Sequence, residues 1–146
     1  MSGRVARGVL LDTHIALWLD SGNAKLRAST RELIDRCWHD GGVIMLSAVT
    51  AWEIGVLVER GKIALDLPPH AWVRRFLRQP GIQGVPLHPD VAARTGALAD
   101  LPHRDPGDRL LIATAIDLGC PLITYDERIA GFARDHGSRY GLLVEQ

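Results

Sequence analysis

The 146-residue chain has two cysteines, no surplus of either charge and no long apolar run. Each shortage removes a class of protein. Cys37 and Cys120 match no zinc-ligand spacing and sit in apolar or helical stretches. They read as two reduced, buried thiols rather than a disulfide. Seventeen basic side chains balance seventeen acidic ones, so whole-chain charge supports no broad nucleic-acid-binding surface. Any nucleic-acid partner must be engaged locally or through a metal. No apolar stretch approaches the ~20 residues that cross a bilayer, so no membrane partner is expected. The first seven residues are short and basic, and the apolar run after them stops at Asp12. That is too short for a signal peptide; a flexible N-terminal extension on a cytoplasmic protein is expected. Six histidines form no His-Glu-x-x-His pair, and no glycine-rich phosphate loop is present.

What is present is enough for a core. Apolar residues make up 47% of the chain, and one domain over residues 1–146 can bury roughly 68–70% of its unfolded surface. Short apolar runs at 9–11, 43–46, 82–87 and 121–124, with a weaker one at 142–144, read as buried strands. Between them lie helical patterns at 14–20, from Ser29 to Gly41-Gly42, 47–60, 71–79, 90–98, 108–118 and 127–135. Pro68-Pro69 reads as a loop. Strands alternating with helices predict an α/β fold with a parallel sheet covered on both faces.

Four acidic residues stand at or near the seams: Asp12 after the first strand, Asp126 after the fourth, Asp108 at the start of a helix and Glu53 inside an apolar helix. Three have a structural explanation. Asp12 and Asp126 can cap the helices that follow them, and Asp105-Pro106-Gly107-Asp108 resembles a capping box with proline at its first helical position. Glu53 differs. Thr50 would form a capping box with it, but Ser47 directly follows the strand and is the better cap. Glu53 then lies well inside the helix, where a carboxylate must be paired, neutralised or metal-bound. If a parallel sheet gathers these groups beyond its carboxyl ends, their repulsion requires a cation. Hard divalent ions take oxygen ligands of this kind, often with substrate phosphates.

The other motifs are weaker. Arg74, Arg75 and Arg78 cluster on one helix and read as a solvated face, with phosphate contact as the lesser reading. Trp18, Trp38, Trp52 and Trp72 read as packing residues rather than base-stacking platforms. His103 could touch the site, though a loop histidine is more often simply exposed.

With these residues placed, the chain resembles the PIN-domain ribonucleases of the VapC toxin type. The matching segments are Val9-Leu10-Leu11-Asp12-Thr13-His14, Leu46-Ser47-Ala48-Val49-Thr50-Ala51-Trp52-Glu53-Ile54, His103-Arg104-Asp105-Pro106-Gly107-Asp108-Arg109-Leu110-Leu111-Ile112-Ala113 and Leu122-Ile123-Thr124-Tyr125-Asp126. The resemblance runs from about Val9 to Leu143. It implies a three-layer α/β/α fold and an acidic pocket for Mg²⁺ or Mn²⁺ built on Asp12, Glu53, Asp108 and Asp126. Asp12 and Asp108 match the direct metal positions, with Glu53 and Asp126 as further candidates. Asp105 is an accessory, and Thr13 matches a hydroxyl position beside the metal. Gly107 replaces the bulky residue often found inside the Asp-Pro-x-Asp loop. The resemblance further implies an RNA substrate, a homodimer and a cognate antitoxin. Two other readings compete: a catalytically silent RNA-binding or regulatory module on the same fold, and a haloacid-dehalogenase-like phosphatase. The phosphatase needs a second aspartate two residues after Asp12, where this chain has His14.

Overall fold

A computed structural model describes residues 8–101 and 104–146. The expected N-terminal extension and His103 lie outside the described residues. The chain alternates strand and helix, beginning with β1 (Gly8–Leu11), α1 (Thr13–Ser21), α2 (Ala28–His39), β2 (Val43–Ser47) and α3 (Ala48–Glu59). There follow α4 (Pro69–Leu77), β3 (Ile82–Val85), α5 (Pro89–Ala93), α6 (Pro106–Leu118), β4 (Leu122–Ile123), α7 (Glu127–Tyr140) and β5 (Val144–Glu145). All strand pairs are parallel, in the order β3-β2-β1-β4-β5.

Period-two alternation on the central strand explains the two faces. Val9 and Leu11 pack into one apolar cluster with Ile15, Ile34, Ile54, Trp72 and Phe76. Leu10 points the other way, into a second cluster with Leu111, Ile112, Leu122, Ile129 and Phe132. Every residue of β1 is buried, which is why the strand reads as a continuous apolar run rather than an alternating one. The result is the three-layer α/β/α arrangement that the sequence predicts.

Several boundaries differ from expectation, each for a local reason. Arg27, not Ser29, occupies the N-cap of α2 and makes no side-chain cap bond. Pro69 is not loop but the first residue of α4, where its missing N–H costs nothing and its fixed φ suits the helix. The helix expected over 90–98 breaks into α5 and a 3-10 turn, Arg94–Ala97. α7 runs on to Tyr140 and stops at Gly141, which adopts φ 76°. The last strand consequently starts later than residue 142. Cys37 is only partly buried, whereas Cys120 is buried; neither forms a disulfide. Among the described residues no helix is long and apolar enough to cross a membrane.

The strand order places the site. From β1 the chain steps outward through β2 to β3, then returns across the sheet to add β4 on the other side of β1. That reversal leaves a crevice beyond the carboxyl ends of β1 and β4. Asp12 and Asp126 stand there.

Candidate active site

The register Leu10↔Leu122 and Leu11↔Ile123 carries on past the strand ends and sets Asp12 beside Thr124. The Asp12 N–H donates to the Ile123 carbonyl at 3.0 Å. One Asp12 carboxylate oxygen accepts from the Thr13 N–H at 2.7 Å, capping α1; the other accepts from the Thr124 hydroxyl at 2.5 Å. Thr124 Oγ1 in turn accepts the Asp126 N–H at 3.0 Å. One buried hydroxyl therefore ties together the two acidic strand ends. Asp126 caps α7 by accepting from the Arg128 and Ile129 N–H groups.

Glu53 arrives from α3 on the same face. Ser47 caps α3, accepting the Val49 N–H at 3.0 Å, so Thr50 plays no capping part. Glu53 Oε1 accepts from the Thr13 hydroxyl at 2.6 Å. Thr13 is buried, and this bond locks the start of α1 to the middle of α3. Asp105 caps α6, accepting the Asp108 N–H at 3.2 Å. Asp105 is exposed and Asp108, one turn on, is 9% exposed. Asp105 thus caps the helix at the pocket's edge, and Asp108 sits buried one turn on. Gly107 is closely surrounded: an added Cβ would lie 3.2 Å from Asp105 Oδ1 and 3.4 Å from the Trp52 ring. Trp52 covers the place a larger residue would claim.

Asp12, Thr13, Glu53, Asp105, Asp108 and Asp126 all line one pocket of about 430 Å³. All six expected residues are brought together. His14, Ile15, Trp18, Tyr125 and Arg128 complete the wall. Burial pushes the Asp108 carboxyl up to about 7, with the charges of Asp105, Asp12, Asp126 and Glu53 adding to the effect. Burial also raises Asp12, although the Thr124 and Thr13 hydrogen bonds pull it back. Glu53 is raised by burial and by Asp12 and Asp105, against the Thr13 bond. These are carboxyls held where their ionised forms repel one another.

As they stand, no group of three or more His, Cys, Asp or Glu side chains among the described residues is disposed to hold a metal ion. The carboxylate oxygens of Asp12, Glu53, Asp105 and Asp126 are engaged with helix N–H groups and threonine hydroxyls. The donor set nevertheless fits a hard divalent cation: all its donors are oxygens, and the burial and added repulsion that lift Asp108 are both offset by a positive charge.

The family model for the PIN domain matches residues 9–135. The chain belongs to the PIN-domain family. One PIN-domain relative, Ribonuclease VapC22 of Mycobacterium tuberculosis, is 31% identical over 121 residues, covering 83% of this chain and 88% of the relative. The PIN fold is also found in a chain of the VapBC2 complex from Rickettsia felis bound to a DNA fragment from their promoter. That match has TM-score 0.67 and 17% identity, covering 94% of this chain and 97% of the other. A chain of a toxin-antitoxin complex from Klebsiella pneumoniae matches with TM-score 0.55 and 20% identity, covering 92% and 95%. At these identities the solved structures speak for the fold, and the curated relative marks this PIN domain as VapC-like.

Reading the PIN sequence alone missed Thr124. Its signal was positional: it follows the fourth strand as Asp12 follows the first, and pairing those strands makes the two residues neighbours. Arg75, expected on a solvated face, instead pairs with Asp66 at 2.7 Å and Asp20 at 3.3 Å.

Proposed function

We propose that this chain is a divalent-metal-dependent endoribonuclease of the VapC toxin type, inhibited by a cognate antitoxin. The observation that carries the reading is the convergence of Asp12, Glu53, Asp108 and Asp126 from four separate parts of the chain into one pocket. Similarity to Ribonuclease VapC22 supports the ribonuclease activity, and the toxin-antitoxin complexes with this fold support the antitoxin.

Asp12 and Asp108 would hold Mg²⁺ or Mn²⁺, with Asp126 and Glu53 as further ligands. Such an ion, when bound, neutralises a phosphodiester and makes a nearby water more acidic. Thr13 and Thr124 orient the carboxylates: each donates its hydroxyl to one acid, so Asp12 and Glu53 are fixed relative to each other through α1. Glu53, whose proton affinity is raised, is suited to take a proton from the attacking water. Asp105 holds the first turn of α6, and through it Asp108, in place. The phosphatase reading lacks its required carboxylate, because the second residue after Asp12 is the exposed His14. Among the described residues Trp38, Trp52 and Leu143 are the exposed large apolar side chains, and these are the surfaces offered to an antitoxin or a second copy.

The test is expression of the wild-type chain beside Asp12→Asn and Asp108→Asn, with sequencing of newly formed RNA 5′ ends. New ends are expected from wild type in the presence of Mg²⁺ or Mn²⁺ and from neither variant. Equal cleavage by the variants would overturn the assignment.

A further inference from the structure

Trp18 does more than fill space. It lies on α1 and lines both the acidic pocket and an adjoining groove of about 620 Å³; His14 is shared in the same way. The two hollows therefore meet across these side chains. The Trp18 ring lies 5.6 Å from His14 and 5.9 Å from Tyr125, centroid to centroid, tilted by 47° and 39°. Tyr125 is braced from behind, its hydroxyl bonding Thr30 and accepting the Arg27 N–H at 3.1 Å. The Arg27 guanidinium lies 4.2 Å from the Tyr125 ring centroid and Lys25 Nζ 6.0 Å from that of Trp18. A pair of anchored aromatic rings, each with a cation over one face, thus adjoins a pocket of carboxylates.

Asp20, Asp66 and Arg75, which line the groove, are paired among themselves. Asp20 accepts from Trp72 Nε1 at 3.1 Å and from Arg75 at 3.3 Å, and Arg75 also holds Asp66. Leu17, Ile63 and Leu65 line the groove with aliphatic groups, and Trp18 and His14 give it an aromatic surface where it meets the acidic pocket. A groove of several hundred Å³ suits a small planar ligand, and every nucleobase has a face that stacks on an aromatic ring. A base within a duplex has both faces covered by its neighbours, so only an unpaired nucleotide can use the ring.

Building on the ribonuclease reading, we propose that Trp18, braced by Tyr125, is a base-stacking platform for an unpaired nucleotide adjoining the scissile phosphate. The nucleotide beside the cut then contributes to binding whatever its identity. Trp18 is a positioning residue in this scheme; the carboxylates do the chemistry.

The experiment uses the full chain and a short single-stranded RNA carrying one abasic nucleotide, moved a position at a time. Binding is measured in Mg²⁺ with Asp108→Asn as the non-cleaving background, and cleavage with the wild-type acids. One abasic position beside the cut is expected to weaken binding by roughly 5- to 150-fold, the range for removing a base–aromatic stack, and to raise KM more than it lowers kcat. Trp18→Leu should remove that position dependence, and Trp18→Phe, which keeps an aromatic face and most of the packing, should restore much of it. Equal tolerance at every position would overturn the platform. So would a position dependence that survives Trp18→Leu in a chain that melts cooperatively. A position dependence with no cleavage by the wild-type chain would uphold the platform and sink the ribonuclease reading instead.

Discussion

Asp108→Asn should make the metal-free protein more stable at pH 8 while removing its activity. Asp108 is nearly buried among four other acids, and its carboxyl is pushed up to about 7 from 3.8. In the unfolded chain it ionises near 4. Between these values the folded state holds a proton that the unfolded state has released, so stability is full below about pH 4 and falls as pH rises through 7. Linkage gives about 1.4 kcal/mol per pH unit, or at most about 4 kcal/mol over the interval. Because the pocket opens to water, about half of that, roughly 2 kcal/mol, is the better expectation. Asparagine has nearly the same shape and no charge to bury. At pH 8 in EDTA the variant should therefore melt about 6 °C above wild type, at roughly 3 °C per kcal/mol for a domain of this size. At pH 4 the two should coincide. Millimolar Mg²⁺ at pH 8 should raise the wild-type midpoint and leave the variant almost unmoved. Scanning calorimetry from pH 4 to 8, with and without metal, measures all of this. A variant less stable than wild type at pH 8, or a difference that does not change with pH, would refute the crowding of charge at Asp108.

Four simpler outcomes follow from single contacts. Thr124→Val should remove the hydroxyl between Asp12 and Asp126, costing roughly 1–3 kcal/mol by urea melting and most of the RNA cleavage. Thr13→Val, which frees Glu53 while keeping volume, should slow cleavage more strongly than it changes KM in steady-state assays. Thr50 is fully buried and its hydroxyl has no hydrogen-bond partner; Thr50→Val should therefore raise stability by about 1 kcal/mol in the same melts. Gly81→Ala should be damaging, by at least ~2 kcal/mol, because φ is 81° and the new Cβ would come 2.2 Å from the Trp38 ring.

The fold was legible because local signals agreed. Ser47, Asp105 and Asp126 each cap the helix that the sequence assigns to them, and Gly41, in the Gly41-Gly42 stop, adopts the left-handed conformation. The acids of the site were legible for a related reason. Glu53 could not be a cap, so it demanded another explanation, and Thr13 proves to be its partner. What escaped depends on strand order, which no short window of sequence contains. Thr124 matters only because β4 lies against β1, and Trp18 faces two hollows only because α1 borders both. Arg75 looked solvated because its partners, Asp20 and Asp66, lie on other elements. Propensity likewise could not split residues 90–97 into α5 and a 3-10 turn.

The hydroxyl of Thr124 meets Asp12 across 112 residues of chain. During synthesis β1 can pair with β2 early, but its other edge stays open until residues 122–123 have emerged and docked as β4. Contacts this distant in sequence form late, since the loop must close before they repay its entropy. Asp12 and Glu53 therefore precede by some way the strand that fills the open edge of β1 and completes their pocket. The pocket is completed only once β4 has docked beside β1, so its assembly waits on a contact made across most of the chain.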